Sequence, residues 1–280
     1  MNPPVKLIIN AAITGMVPTK ADNPHVPVTV EEVVACARRV RDAGAAIVHL
    51  HARGADQHPV SGAQPYAELV QAVRAACPDL IVCVSLSGRL VHDVGLRAAA
   101  LAAKPEMASL TLGSMNFPTQ ASVNSPQDIG ELARRTYAAG AVPELEAFEP
   151  GHVHYAKHLI RKGVLRPPYY FNLILGSLGT APLDLVGLGH LVSLLPEGAT
   201  WAAGGIGQFQ LDANVLGIAA GGHVRVGLED GLHYDRARTE LADNPRLVER
   251  IARIAREMGR EPASPDEARD IIGLPARTSQ

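Results

Sequence analysis

The 280-residue sequence is poor in cysteine: Cys36, Cys77 and Cys83 are the whole set. An odd count without CxxC spacing argues against a disulfide framework, and the three read as reduced core or near-core thiols of a cytoplasmic protein. Long apolar runs are also missing. No stretch approaches the ~20 apolar residues of a membrane span, and the opening MNPPVKLIINAAITG lacks a basic segment followed by a long apolar one. The expected compartment is the cytoplasm. Nor is there a surplus of one charge. The 26 basic and 28 acidic residues leave a net charge of −2 and no basic stripe, so neither nucleic acid nor a membrane surface has electrostatic support as a partner. Finally, there is no GxGxxG turn after the first strand, where Ala11-Ala12-Ile13-Thr14-Gly15 stands instead. That argues against an open dinucleotide-binding sheet.

What is present is a hydrophobic fraction of 47% with 19% charged residues, enough for a large core and too apolar for disorder. One domain over residues 1–280 is the economical reading, because a (β/α)8 barrel takes about 250 residues. Short β-branched runs alternate with longer Ala-rich amphipathic stretches, the rhythm of βα units. Strands are expected at Val5–Ala12, Ala46–Ala52, Leu80–Ser85, Glu106–Leu112, Val142–Phe148, Tyr169–Leu175, Thr200–Ala203 and His223–Gly227. The helices between and after them are expected at Val30–Ala43, Pro65–Ala76, Val94–Ala103, Pro126–Ala139, His152–Lys162, Pro182–Leu195, Gln208–Ala220 and Arg246–Met258. Thr29 reads as the N-cap of the first helix, with Glu31 and Glu32 in its first turn. Eight units in one chain of this length favour a closed TIM barrel. Two additions are expected: a long loop, Gly15–Thr29, after strand one, and an extra C-terminal helix within Pro262–Gly273, starting at Ser264-Pro265. The tail Pro275–Gln280 is expected to fray.

The most informative segment is Ile47-Val48-His49-Leu50-His51-Ala52-Arg53. Residues two apart on a strand share a face, so His49 and His51 project together, at the C-terminal end where barrel active sites lie. Two adjacent imidazoles suit a metal ion better than an apolar core; a pair of hydrogen-bonded core histidines is the alternative. A catalytic zinc usually takes three protein ligands and keeps an open position. Glu229, in Gly227-Leu228-Glu229-Asp230 after the last strand, is the expected third ligand, which frees Asp230 for proton chemistry. The alternative for both is a solvated loop acid or helix cap. A second HxH, His152-Val153-His154, falls at a helix start, where side chains two apart point about 200° away from each other; these two are expected in a loop or on the surface. Ser85, Ser87-Gly88, Ser109, Thr111, Glu144, Glu146 and Arg225 also fall on strand ends around the same mouth. Glu146 and Arg225 would be costly inside a barrel unless paired, so an ion pair that holds the guanidinium is expected. The turn Gly204-Gly205-Ile206-Gly207 occupies the usual place of a barrel phosphate site. Gly205 and Gly207 are therefore candidate cofactor contacts; Gly176–Thr180 after strand six could equally cradle a phosphate, and the alternative for both turns is a tight connection only.

Taken together, these motifs resemble the β-keto acid cleavage enzyme family over nearly the whole chain. The residues that carry the likeness are AAITG (Ala11–Gly15), PHVPVT (Pro24–Thr29), AGAAIVHLHAR (Ala43–Arg53), KPEMASL (Lys104–Leu110), GSMNF (Gly113–Phe117), VPELE (Val142–Glu146), GGIG (Gly204–Gly207) and GGHVRVGLED (Gly221–Asp230). The resemblance implies a zinc-bearing homo-oligomer, a tetramer or dimer, that condenses a β-keto acid with acetyl-CoA to give acetoacetate and a new acyl-CoA. It implies that His49, His51 and Glu229 bind zinc or another divalent ion. Asp230 would be the base, Arg225 and Glu146 would complete a charged triad, and Ser85 and Ser109 would hold the substrate carboxylate. There are departures. Aminohexanoate-cleaving members carry a glutamate shortly after AAITG, where Val17 stands here beside Met16. Thr111 replaces a frequent asparagine, and Gly231 another. A substrate with a neutral or apolar side chain is therefore expected rather than an amino one. Two rivals stand beside this reading. An amidohydrolase-like zinc hydrolase would add histidines on strands five and six, which have none. A non-catalytic metal-binding barrel would have little use for Asp230, Arg225 and Glu146.

Overall fold

A computed structural model describes residues 5–275; the expected frayed tail, apart from Pro275, lies outside them. The strands run β1 (Ile9–Ala12), β2 (Ile47–Leu50), β3 (Ile81–Val84), β4 (Met107–Thr111), β5 (Met115–Asn116), β6 (Ala121–Ser122), β7 (Val142–Ala147), β8 (Tyr170–Leu175), β9 (Thr200–Gly205) and β10 (His223–Val226). All but β5 and β6 pair in parallel, in the order β1-β10-β9-β8-β7-β4-β3-β2, and close on themselves as a barrel. The helices are α1 (Val30–Asp42), α2 (Ala63–Ala76), α3 (Val94–Ala98), α4 (Pro126–Ala138), α5 (Pro150–Arg161), α6 (Leu185–Leu194), α7 (Gln210–Ala219), α8 (Asn244–Glu257) and α9 (Pro265–Ile272). Local sequence sets their ends. Thr29 and Glu32 form a capping box on α1, Pro126 and Pro265 occupy the first turns of α4 and α9, and Ser264 with Glu267 caps α9.

The pleat sorts the side chains into two layers. Val48 and Leu50 point outward into one core with Val33, Ala37 and Val40 of α1 and Leu69, Val70 and Val73 of α2. Ile47 points inward and meets Ile8, Ile81, Cys83, Met107, Tyr170 and Ala202 in an apolar layer at the N-terminal end of the barrel. The extra helix seals that end: Ala268 and Ile272 of α9 belong to the same inner cluster. Arg269 anchors α9 through two hydrogen bonds to Glu106, of 2.7 and 2.9 Å. With one end filled by aliphatic side chains, the polar interior is confined to the C-terminal half.

Three expectations need correction. The loop after β4 carries an unexpected hairpin, β5–β6, whose two-residue strands are too short to show a period. β9 runs on to Gly205, because Ile174 and Leu175 of β8 pair with Gly204 and Gly205. Those glycines are strand, and the turn begins at Ile206. His152 is neither a loop nor a surface residue. It lies in the first turn of α5, 2% exposed, with Nδ1 accepting from the Phe148 N–H at 3.2 Å. His154, one face away, is exposed as expected.

Candidate metal centre and active site

β2 delivers His49, and the residue just past its end, His51, points to the same side of the wall; both are buried, and the loop after β10 brings Glu229 against them. The two Nε2 atoms lie 3.3 Å apart. His51 Nε2 is 3.2 Å from Glu229 Oε1, and His49 Nε2 is 3.9 Å from Glu229 Oε2. Two imidazole nitrogens that face each other this closely have room for a single proton between them. Glu229 Oε2 is buried without a hydrogen-bond partner. A cation between the three answers both facts, since a tetrahedral site with bonds of about 2.0–2.1 Å has edges of about 3.3 Å. A second cluster, His49, Cys83 and Glu144, shares a histidine with the first. Burial raises the Cys83 thiol far above its ordinary value, so a cation in this cluster would have to displace its proton.

The position of Glu229 depends on close backbone packing. Gly227 lets the chain pass β1: a Cβ there would sit 2.0 Å from the Ala12 carbonyl oxygen. Gly15, at φ +71°, closes AAITG against the ligand itself, where a Cβ would meet Glu229 Cγ at 2.8 Å. Arg53 then pins the following loop through the Gly15 and Pro18 carbonyls, at 2.6 and 2.7 Å. Two of the motifs that marked the sequence thus meet at one carboxylate.

Glu144 has a part that spacing on β7 did not assign. Its Oε2 lies 2.8 Å from His49 Nδ1, and its Oε1 accepts from Asn10 Nδ2 at 2.6 Å. Holding Nδ1 would leave Nε2 available to a cation, the usual support for a histidine ligand. Burial works against charge here. It pulls His49 down, but the Glu144 and Glu229 carboxylates overcome it and lift His49 to about 8. Burial raises Glu144, while His49, Arg225 and Asn10 bring it to about 2. His51 is lowered by burial, only partly opposed by Glu229. A proton on His49 Nε2 and a cation would compete for the same lone pair. The signal for Glu144 was available: a buried HxH needs acceptors for its second nitrogens, and Glu144 shares the inward face of β7 with Glu146.

Arg225 joins the rest. Its Nε donates to Asp230 Oδ2 at 2.9 Å and Nη2 to Glu229 Oε1 at 2.7 Å, while Nη1 lies 3.3 Å from Glu146 Oε1. The expected Glu146–Arg225 pair is therefore present, and the same guanidinium also holds the base candidate and a ligand candidate. Asp230 is raised by burial, against the pull of Arg225, and Glu146 likewise. Both are thereby made better proton acceptors.

These groups floor a cavity of about 350 Å³ lined by His51, Ser85, Thr111, Glu146, Arg225, Glu229 and Asp230. Its walls combine apolar side chains, Met16, Val17, Met115, Phe117, Phe148 and Ile174, with charged ones that include Arg89, Asp212, Asp235 and Arg238. The other expected contacts are distributed unevenly. Ser85 Oγ accepts from the Ser87 N–H and Ser109 Oγ from the Leu86 N–H, which leaves both hydroxyl protons free; Ser109 sits behind the wall, 1% exposed. Thr111 donates its proton to Glu146 at 2.7 Å. Gly88 backs onto Arg97, whose guanidinium ties Leu86 O to Asn124. Gly205 packs against Phe209 and α7, whereas Gly207 lines the cavity with its N–H donated to the Asp230 carbonyl at 2.6 Å.

A family model described as beta-keto acid cleavage enzyme matches residues 6–274. The chain is 38% identical over 271 residues to the 3-keto-5-aminohexanoate cleavage enzyme of Fusobacterium nucleatum subsp. nucleatum, covering 96% of this chain and 98% of that one. It is 36% identical over 273 residues to the 3-oxoadipate:acetyl-CoA acetyltransferase of Cupriavidus necator, covering 96% and 95%. It is 32% identical over 295 residues to the 3-dehydrocarnitine:acetyl-CoA trimethylamine transferase of Rhizobium meliloti, covering 97% and 98%. Among solved structures, the apo structure of ObcA superposes with a TM-score of 0.74 at 22% identity, over 90% of this chain. This chain spans 66% of that protein's length, and the likeness shows the fold alone.

Proposed function

Because the chain belongs to the beta-keto acid cleavage enzyme family, we propose that it condenses a β-keto acid with acetyl-CoA, releasing acetoacetate and the acyl-CoA of the remaining fragment. The observation that carries this is the Asp230 carboxylate held by Arg225 at 2.9 Å, beside the His49–His51–Glu229 donor set, on the floor of one cavity.

His49, His51 and Glu229 would hold a divalent cation, and two imidazoles with one carboxylate suit zinc. When bound, such an ion supplies a Lewis acid that polarises a keto oxygen. Asp230 takes a proton from the carbon between the ketone and the carboxylate, aided by its raised affinity for protons. Arg225 orients that carboxylate, and Glu146 on the far nitrogen fixes Arg225. The substrate carbon attacks the thioester carbonyl and CoA thiolate leaves. The thiolate then attacks the original ketone, the carbon–carbon bond breaks, and Asp230 returns its proton to the carbon of acetoacetate. Ser85 would donate to the substrate carboxylate, with Ser109 bracing the Leu86 amide behind it. Thr111 acts through Glu146. Gly88 gives room for Arg97 to fix the loop. Gly207, which lines the cavity, would touch acetyl-CoA, while Gly205 lets α7 pack close to β9.

The Met16–Val17 stretch offers no counter-charge for an ammonium, and with Met115, Phe117, Phe148 and Ile174 also on the cavity wall a neutral or apolar side chain is favoured. The whole chain is proposed to work as one barrel domain in the cytoplasm, in keeping with its free thiols; no helix among the described residues can cross a membrane. A homo-oligomer, dimer or tetramer, would cover Leu178, Leu185 and Val186, which are 71–80% exposed. The deciding experiment incubates the metal-loaded protein with acetyl-CoA and a panel of apolar, amino and acidic β-keto acids and measures acetoacetate. Apolar acids should turn over fastest. Hydrolysis without CoA, or no acetoacetate from any acid, would overturn the reaction.

A further inference from the structure

The floor of the cavity is short of positive charge for the reaction proposed above. Four carboxylates, Glu144, Glu146, Glu229 and Asp230, against one guanidinium and a divalent cation, leave one net negative charge. Every β-keto acid brings another. The hydroxyl near it, on Ser85, is a neutral donor. Arg225 has no capacity left, since Glu146, Glu229 and Asp230 already surround it.

Arg238 and Arg250 also line the cavity without an ion pair among the described residues, but Arg250 is tied to Tyr234 by its ring and its carbonyl, and neither belongs to the loop that carries Ser85; Arg89 does. Arg89 lies in the loop between β3 and α3 that also carries Ser85, Ser87 and Gly88, and it lines the cavity. Among the described residues, no carboxylate lies within ion-pair distance of it, and its Nε is buried without a hydrogen-bond partner. The guanidinium does not dangle. Its Cζ lies 4.0 Å over the Phe117 ring, and its backbone is tied at both ends, the N–H to Ser87 Oγ at 3.3 Å and the carbonyl from Gln120 Nε2 at 3.2 Å. Burial lowers its proton affinity while the Glu229 charge raises it, so the group stands within electrostatic reach of the proposed ligand. A guanidinium held over a ring face can keep terminal N–H donors for a carboxylate, whose geometry its fork matches.

We propose that Arg89 binds the carboxylate of the β-keto acid, with Phe117 holding the guanidinium in place and the loop from Ser85 setting its distance. Arg89 is a binding residue and moves no proton. The inference rests on the proposed reaction for the identity of the ligand; a phosphate of acetyl-CoA is the other anion the same fork would fit, and the measurement separates the two.

The test measures binding of acetoacetate and of its uncharged ester, methyl acetoacetate, to the metal-loaded wild type, R89Q and R89K by calorimetry, together with the KM of acetyl-CoA. R89Q should bind acetoacetate about tenfold more weakly, equivalent to about 1.4 kcal/mol. Its affinity for the ester and its KM for acetyl-CoA should stay within about twofold, and R89K should recover most of the loss. Three results would overturn the proposal: unchanged acetoacetate binding in R89Q, equal weakening for acid and ester, or a raised KM for acetyl-CoA alone. Binding needs no turnover. A wild type that binds acetoacetate through Arg89 yet forms none from acetyl-CoA would defeat the reaction and leave the site standing.

Discussion

At the scale of the residue, the chemistry depends on hydrogen bonds that assign one task to each nitrogen and oxygen. His49 is the clearest instance, with Nδ1 on Glu144 and Nε2 facing His51. Replacing Glu144 with Gln keeps the shape but removes the charge that orients and enriches the ring. Metal affinity should fall about 10–100-fold, the usual effect of losing such support, as read by competition with a chromogenic chelator; an unchanged affinity would deny Glu144 this part. Asp230 carries a different burden. Asp230→Asn should retain stoichiometric metal, because His49, His51 and Glu229 are untouched. Its kcat should fall about 10²–10⁴-fold, the range for removing a general base. Full turnover in that variant would refute the assignment. The histidines could be picked out from the sequence because alternation on a strand is a local property. Glu144 was visible but had no assigned part, since its partner lies 95 positions away. Arg89 gave no signal at all: a lone arginine in a loop says nothing until the acids around it, and its distance from them, are known.

At the scale of the element, termini were more legible than packing. Caps and prolines marked α1, α4 and α9 because they act within one turn. The β5–β6 hairpin and the last two residues of β9 escaped notice, being stabilised by pairing across the fold. His223 shows what an element end can hide. At the start of β10 its Nδ1 accepts from the Ile8 N–H at 3.0 Å, and burial, helped by Arg260, holds it down at about 3. The unfolded chain would titrate near 6.5. Between pH 6.5 and 3 the unfolded state therefore binds a proton that the folded state refuses, and stability falls as the pH falls through that window. The contribution is complete above pH 6.5. His223→Asn preserves an acceptor for Ile8 and abolishes the titration. Its unfolding free energy, measured in urea from pH 7 to pH 4, should lose up to about 1.4 kcal/mol per pH unit less than the wild type. Parallel acid limbs for the two proteins would show that His223 is not responsible.

At the scale of the molecule, closure of the barrel is what makes the site. It brings β2, β7 and β10 to a common axis and lets α9 fill the other end with aliphatic side chains, so the buried charges are gathered in one half and face each other. A ligand that binds only this arrangement must stabilise it. Zinc at 100 times its dissociation constant would add about 2.7 kcal/mol. Treatment with a chelator should lower the thermal midpoint of the wild type, and a His49→Ala/His51→Ala double variant should be indifferent to it. A wild-type midpoint that ignores the chelator would argue that no metal is held there.

The sequence by itself determined the βα rhythm, the barrel, the common face of His49 and His51, and the need for a partner to Arg225, because periodicity, capping and the cost of burying charge are local rules. Only the tertiary structure decided that His152 is buried, that Glu144 rather than solvent holds His49, that Gly15 abuts Glu229, and that Arg89 stands unpaired on the cavity wall. Each of those depends on segments far apart in the chain arriving within a few ångströms, and hydrogen bonds and Coulomb forces act only once that distance has been closed.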